Sequence, residues 1–296
     1  MYRLSRRSCL AAFATLAAAT TSRPRAADKL KVVTTFTILE DMVRRVGGEH
    51  VALTTLVGPD GDAHVYEPTP ADARTLARAD LVVVNGLGFE GWIDRLVRVS
   101  GYRGPVVVAS EGVAALTVEQ NQPDPHAWQD LANGRLDVAN IVRALAAADP
   151  ANADDYRRRA RAYDRELAAL DREVKSRLDA FPRDRRKVIT SHDACRYFGR
   201  AYGIDFRAPV GLSTESAPSA GEVAALIRQM RDEGIHALFV ENITDPRLVG
   251  QLAREAGAVI GGRLYSDSLS GPTGPAPTYL DMFRHNVGEI AKAVAQ

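Results

Sequence analysis

The side chains able to do chemistry in this sequence are histidines and carboxylates set among turn-forming residues. Six histidines are present: His50, His64, His126, His192, His236 and His285. Three of them keep polar company. His64 follows Gly58-Pro59-Asp60-Gly61-Asp62-Ala63, His126 sits in Asp124-Pro125-His126-Ala127-Trp128, and His192 sits in Ser191-His192-Asp193. Neutral imidazole is a frequent transition-metal ligand, and a carboxylate completes many such sites. An acidic candidate of the same kind is Asp267, in Leu264-Tyr265-Ser266-Asp267-Ser268. Successive members of this set lie 62, 66 and 75 residues apart, so only the fold can bring them together. Spacing alone leaves each loop histidine open to two readings, metal ligand or ordinary loop residue. The remaining histidines read as structural or solvent-facing: His50 at a strand edge, His236 before a strand, and His285 on the last amphipathic helix.

A zinc hydrolase would use the same three histidines, an open water position, and Glu241 or Asp267 as general base. The sequence has neither His-Glu-x-x-His nor Gly-x-Ser-x-Gly, which argues against that chemistry. Cys195 lies three residues after His192, one turn along a predicted helix. Packing behind the histidines is the favoured reading for it, with a direct metal ligand as the alternative. Glu241 and Asp193 are candidates to accept a hydrogen bond from a histidine ring. For Glu241 the other reading is a plain cleft-lining carboxylate, and for Asp193 a helix-start acid.

The elements that must position these residues alternate along the chain. Short β-branched runs at Lys31–Thr35, Ala52–Val57, Leu81–Asn85 and Pro105–Ala109 read as strands, with helices at Leu39–Val46, Pro70–Ala77 and Gly91–Val99. A second set has strands at Lys187–Thr190, Phe206–Pro209, Ala237–Glu241 and Val259–Gly262, with helices at Asp193–Tyr202, Ala220–Glu233 and Pro246–Ala256. This alternation predicts α/β architecture: two lobes of about four β/α units each, with mainly parallel sheets. Loops at the C-terminal ends of parallel strands are where such folds bind ligands. Between the lobes, Asp149-Pro150 starts a helix in which Tyr156, Ala160, Tyr163, Leu167, Leu170, Val174, Leu178 and Phe181 recur every three or four residues until Pro182. One long helix of about 40 Å is expected, either joining two lobes or packed inside a single domain. The division expected is an export signal over 1–27, an N-terminal lobe over 28–148, the helix over 149–181 and a C-terminal lobe over 182–296.

Composition narrows the class. The 296 residues are 46% hydrophobic and 25% charged, which suits a globular chain with a substantial core and excludes disordered and disulfide-scaffold classes. Residues 1–27 carry five arginines and no acid, then an apolar run from Cys9 to Ala19 and Ala26-Ala27, the layout of an export signal. Ser5-Arg6-Arg7-Ser8-Cys9-Leu10 resembles the twin-arginine signature, with Cys9 in place of the usual Phe. Cys9 precedes the apolar run instead of following it, so no lipid anchor is expected, and no run reaches the roughly 20 residues of a spanning helix. Without those five arginines, 33 of the 38 basic side chains face 37 acidic ones. A mildly acidic mature chain with no Lys/Arg run longer than three is not expected to bind nucleic acid. Cys195 then remains as the single cysteine, so no intrachain disulfide is expected.

Four motifs carry a family resemblance: Asp62-Ala63-His64-Val65-Tyr66-Glu67-Pro68-Thr69-Pro70; Asp124-Pro125-His126-Ala127-Trp128; Thr190-Ser191-His192-Asp193-Ala194 with Tyr197-Phe198-Gly199; and Tyr265-Ser266-Asp267-Ser268-Leu269. In this order the sequence resembles the metal-binding solute-binding proteins of zinc and manganese ABC transporters, cluster A-I, from about Lys31 to the C-terminus. The resemblance implies two α/β lobes joined by one long helix, with one divalent ion in the cleft. It implies His64 and His126 as ligands from the N-terminal lobe, and His192 and Asp267 from the C-terminal lobe. Glu67 and Trp128 match motif positions without being implied ligands, and loop packing is their plain reading. The implied partner is a membrane permease, the implied location the periplasm, and the expected state a monomer. Three imidazoles and one carboxylate favour Zn²⁺ over Mn²⁺. The stretch from Glu111 to Gln122 lacks the histidine-rich loop of many zinc members, so Mn²⁺ or Fe²⁺ stays as the alternative. A surface adhesin keeping the same fold is a further alternative. Small lobe movements are expected on metal loss, because a long helix resists wide hinge bending.

Overall fold

The computed structural model describes residues 28–118 and 121–295; the expected export segment, residues 1–27, lies outside the described residues. The first half runs β1 (Leu30–Thr34), α1 (Thr37–Gly47), β2 (Val51–Thr55), α2 (Pro70–Leu76), β3 (Leu81–Val84), α3 (Ile93–Ser100), β4 (Val106–Val108) and α4 (Leu131–Ala148). Helix α5 (Ala153–Asp179) follows. The second half runs β5 (Lys187–Ile189), α6 (Arg196–Tyr202), β6 (Asp205–Arg207), α7 (Ala220–Glu233), β7 (Ala237–Glu241), α8 (Pro246–Ala256), β8 (Val259–Leu264) and α9 (Tyr279–Val294).

Each half forms one four-stranded sheet, with all pairs parallel and strand orders β2-β1-β3-β4 and β6-β5-β7-β8. The architecture is therefore the expected two-lobed α/β fold with a long helix. Local signals explain the boundaries. Thr69 caps α2 with Asp72 in a reciprocal capping box, and Ser219 does the same for α7 with Glu222. Pro246 follows the Asp245 cap of α8, and Gly203, Gly234 and Gly257 end α6, α7 and α8 in the left-handed conformation. The four residues of β3 are all buried, as a central parallel strand covered on both faces should be.

Helix α5 is a spine embedded in the core. Its buried stripe is Ala153 followed by Tyr156, Ala160, Tyr163, Leu167, Leu170, Val174 and Leu178, the last seven being positions that the periodicity picks out, while Phe181 falls past the helix end. From Tyr156 to Leu178 these side chains join one continuous hydrophobic core that takes in Val32, Phe36 and Met42 of the first half and Val188, Phe239 and Phe283 of the second. Burying each large apolar side chain there contributes roughly 1.5–3 kcal/mol. The C-terminal helix returns to the first half: Asp41 of α1 accepts the Tyr279 backbone N–H at 3.0 Å and the Tyr163 hydroxyl at 3.4 Å.

Two elements depart from expectation. Helix α4 was not anticipated, because its alanine-rich sequence buries the polar Asp137 and Asn140 and so breaks the apolar stripe. Gly134 on α4 is required by packing, since a Cβ there would lie 2.5 Å from the Tyr279 hydroxyl. Helix α6 starts at Arg196, three residues later than the predicted Asp193. The His192 carbonyl, which a helix from Asp193 would offer to the Arg196 N–H, instead accepts the Ala194 N–H and the Thr190 hydroxyl, both at 3.0 Å. Cys195 is thus not one helical turn along from His192. No helix among the described residues is long and apolar enough to cross a membrane.

Candidate metal centre

His64, His126, His192 and Asp267 come from four different connections and meet at the seam between the sheets. His64 follows β2, His126 follows β4, His192 follows β5, and Asp267 lies three residues beyond β8. Each offers one ligand atom, these atoms all lie within 4.8 Å of one another, and all four residues are buried. Asp267 Oδ2 stands 3.0 Å from His192 Nε2, 3.3 Å from His64 Nε2 and 3.7 Å from His126 Nε2. His64 and His126 approach each other at 3.3 Å through Nε2. A cation bound at roughly 2.0–2.1 Å by four tetrahedral donors would separate them by about 3.3 Å. These four edges bracket that value and every donor pair lies within 4.8 Å, so the donors stand close to the spacing of a small-cation shell.

Each residue is held by its own local chemistry. Asp124 Oδ1 accepts the His126 backbone N–H at 3.0 Å and faces Nδ1 of the same ring at 2.8 Å, which places the proton on Nδ1 and frees the Nε2 lone pair. Tyr197 donates to the Asp124 carbonyl and Asn85 to the Pro125 carbonyl, so this loop is fixed from both lobes. Glu241 stands beside His192 in a similar way: Oε1 accepts its backbone N–H at 2.9 Å, and Oε2 lies 2.7 Å from Nδ1 as a charge contact outside hydrogen-bond geometry. Trp128 and Gln129 both donate to the Ser266 carbonyl, tying the turn after His126 to the residue before Asp267. An aromatic wall backs the rings, with Phe89 4.8 Å from His64 and Trp128 5.4 Å from His126, centroid to centroid.

The electrostatics are those of a carboxylate enclosed by imidazoles. Burial disfavours charge on His126, but Asp267 and Asp124 outweigh it and raise its pKa to about 9. Burial likewise opposes charge on His192, yet Glu241 and Asp267 hold its pKa well above the usual imidazole range. Burial would raise Asp267, but His126 and His192 pull it well below the carboxylate range. Asp267 Oδ1 is buried without a hydrogen-bond partner, a further acceptor aimed at nothing in the protein. A divalent cation would satisfy both the excess negative charge and this orphaned oxygen.

The other singled-out residues sort clearly. Glu241 lies beside the His192 ring and takes its hydrogen bond from the His192 backbone N–H. Asp193 does not; its carboxylate pairs with Arg196 at 3.3 Å. Glu67 is exposed, whereas Trp128 is buried against His126. Cys195 is buried in the shared core and lies outside the group of four, with burial first and then Glu241 and Asp267 pushing its thiol pKa well up. Sequence reasoning missed the role of Asp124, although its position two residues before His126 allows the local bond, and missed Phe89 altogether.

A two-lobed α/β fold with one buried, cation-sized donor cluster at its seam defines an ion-binding protein built around its cleft. The chain belongs to the family described as ZnuA, zinc-uptake complex component A, periplasmic, whose profile matches residues 32–293, and with it to the metal-binding substrate-binding proteins of ABC transporters. It is 34% identical over 276 residues to the iron-binding protein YfeA of Yersinia pestis, covering 91% of this chain and 88% of that one. It is 32% identical to the manganese ABC transporter substrate-binding lipoprotein PsaA of Streptococcus pneumoniae, covering 93% and 92% of the two chains. The structure of the periplasmic zinc-binding protein TroA of Treponema pallidum superposes with a TM-score of 0.87 at 32% identity, covering 90% of this chain and all of the other. All three relatives are named as binding proteins, PsaA as the substrate-binding lipoprotein of an ABC transporter, and the family is not one of enzymes, so the hydrolase reading falls.

Proposed function

We propose that this protein is the extracytoplasmic solute-binding component of an ABC importer, taking one divalent transition-metal ion, Zn²⁺ first, and handing it to a membrane permease. His64 and His126 of an N-terminal lobe (28–148) and His192 and Asp267 of a C-terminal lobe (182–296) are its ligands, with the helix of 149–181 between them. The observation that carries this reading is the meeting of three imidazole Nε2 atoms and one carboxylate within 4.8 Å at a buried seam. Each protein molecule then carries one ion as a monomer. The export signal at residues 1–27 and the relatives named as lipoproteins or periplasmic proteins support an extracytoplasmic location.

An N₃O donor set suits tetrahedral Zn²⁺ better than hard, oxygen-seeking Mn²⁺. One observation favours the second reading, Mn²⁺ or Fe²⁺: the free Asp267 Oδ1 allows the carboxylate to bind through both oxygens and expand the shell. Affinity order alone does not decide between them, because most sites bind Zn²⁺ more tightly than Mn²⁺. The test is elemental analysis after native purification, paired with zinc and manganese competition and with metal-limited growth of a deletion strain. Zinc in the purified protein and growth rescued by zinc are expected. Manganese or iron in the protein, with rescue by that metal, would overturn the zinc assignment; no bound metal would overturn the site.

A further inference from the structure

His64 is held differently from the other three residues of the proposed site. It is 7% exposed, while His126, His192 and Asp267 are each 0% exposed. His126 and His192 turn their second ring nitrogens to Asp124 and Glu241, but among the described residues no carboxylate faces that nitrogen of His64. What fixes His64 is its backbone. Asp62 Oδ1 accepts the His64 N–H at 2.9 Å, and Asp62 Oδ2 accepts the Thr214 hydroxyl at 2.6 Å. Thr214 belongs to the β6–α7 connection of the opposite lobe, so one carboxylate joins the histidine's backbone to the far side of the cleft.

Neighbouring contacts work in the same direction. Asp60 donates its N–H to the Leu269 carbonyl at 3.1 Å, and its Oδ1 accepts from Asn242 Nδ2 at 3.0 Å. Asp60 has φ 58°, a left-handed conformation unfavourable for a residue with a Cβ, and these bonds across the cleft hold it there. At its other end the 210–214 segment pairs with the second lobe's histidine: Val210 forms a parallel bridge with His192. Residues 210–214 therefore strap the backbones on both sides of the site, directly at His192 and through Asp62 at His64.

Resting on the metal-site reading above, we infer that Asp62 and Thr214 form the latch of the cleft, a positioning pair that sets how fast the ion leaves without ligating it. Opening breaks Asp62–Thr214 and Asp60–Asn242, the 56–69 loop withdraws from the C-terminal lobe, and His64 is the first ligand to let go. The ion is then left on His126, His192 and Asp267.

The test is Thr214→Val in the full mature chain, a change that keeps the side-chain shape and removes the donor. The protein is loaded with one equivalent of Zn²⁺ and mixed with excess chelator in a stopped-flow instrument. Losing one hydrogen bond to a carboxylate should speed release about tenfold. Stoichiometry and the Co²⁺ d–d spectrum should stay those of the parent, because the four ligands are untouched. Thr214→Ser should restore the parental rate, and Asn242→Ala should speed release by a smaller factor. Parental release rates in both Thr214→Val and Asn242→Ala, with one ion still bound, would sink the latch and leave the site standing. Failure of the parent protein to bind Zn²⁺ or Co²⁺ would sink the metal-site reading itself.

Discussion

The two lobes share a strand order but use the same topological position for different ends. In each sheet the order reverses between two central strands, β1 and β3 in one and β5 and β7 in the other, and each reversal holds a buried glutamate. In the N-terminal lobe Glu90 is saturated: Oε1 accepts the Thr35 hydroxyl at 2.6 Å and the Asn85 N–H at 2.7 Å, and Oε2 accepts the Gly86 N–H at 3.2 Å. It zips the strand ends together and spends no acceptor on a histidine. In the C-terminal lobe Glu241 accepts the His192 backbone through Oε1 and keeps Oε2 against the imidazole. Phe36, two residues past β1, packs on Phe89 and Trp128. A repeated architecture thus supplies two clefts' worth of strand ends. One reversal point became a structural clamp and the other part of the proposed binding machinery.

The comparison is sharpened most strongly at the carboxylate common to all three histidines. Asp267→Ala removes one of the four donors and the negative charge that offsets a dication at this buried site, so Zn²⁺ affinity should fall by more than a hundredfold in a chelator-competition titration. The two glutamates come next. Glu241→Gln should cost roughly 10–100-fold in affinity, the usual range for the partner of a ligating histidine. Glu90→Gln should leave affinity within a few-fold and lower unfolding stability by about 1–3 kcal/mol in denaturant titration, because it disturbs buried acceptors of backbone N–H groups. Equal affinity losses in the two variants would break the distinction between the reversal points.

Proton competition gives the next effect. His126 has its pKa raised to about 9 in the metal-free protein, burial being outweighed by Asp267 and Asp124. A raised imidazole pKa stabilises the metal-free fold fully below the unfolded value of roughly 6.5 and ceases to do so as pH rises through the folded value. Metal must displace that proton, so apparent Zn²⁺ affinity should climb about tenfold per pH unit for each proton released. The climb should continue toward pH 9. Titrations at pH 5.5, 6.5, 7.5 and 8.5 check this, and a plateau above pH 7 would show that the carboxylates do not hold the histidines protonated.

How much of this was legible in the sequence depended on whether the cause was local. The α5 stripe, the starts of α2 at Pro70 and α7 at Ala220, and the loop positions of His64, His126 and His192 are written in short windows, and the structure follows them. Helix α4 was not legible, because Asp137 sits on its buried face where the pattern expects an apolar residue. Burial raises the Asp137 pKa to about 8, so the group is protonated through much of the neutral range and can occupy that position. The start of α6 departs for a different reason: the His192 carbonyl, which a helix starting at Asp193 would offer to the Arg196 N–H, is taken by the Ala194 N–H and the Thr190 hydroxyl. The convergence of His64, His126, His192 and Asp267 came from family resemblance. Spacings of 62 to 75 residues carry no physical signal of their own.

The smallest expected effect is at Cys195, where the lobes' shared core comes up behind the proposed site. The thiol is buried, and burial together with the Glu241 and Asp267 carboxylates pushes its pKa well up in the metal-free protein. Cys195 also stands outside the four residues whose donor atoms converge. Cys195→Ala should therefore leave Zn²⁺ affinity within about twofold, and the small void should lower unfolding stability by about 1 kcal/mol. Co²⁺ substitution reads the alternative directly, because thiolate ligation produces an intense sulfur-to-metal charge-transfer band that imidazole and carboxylate donors do not. Such a band in the parent protein, lost in Cys195→Ala, would move this residue out of the core and into the shell. The C-terminal lobe would then contribute three donors to the N-terminal lobe's two.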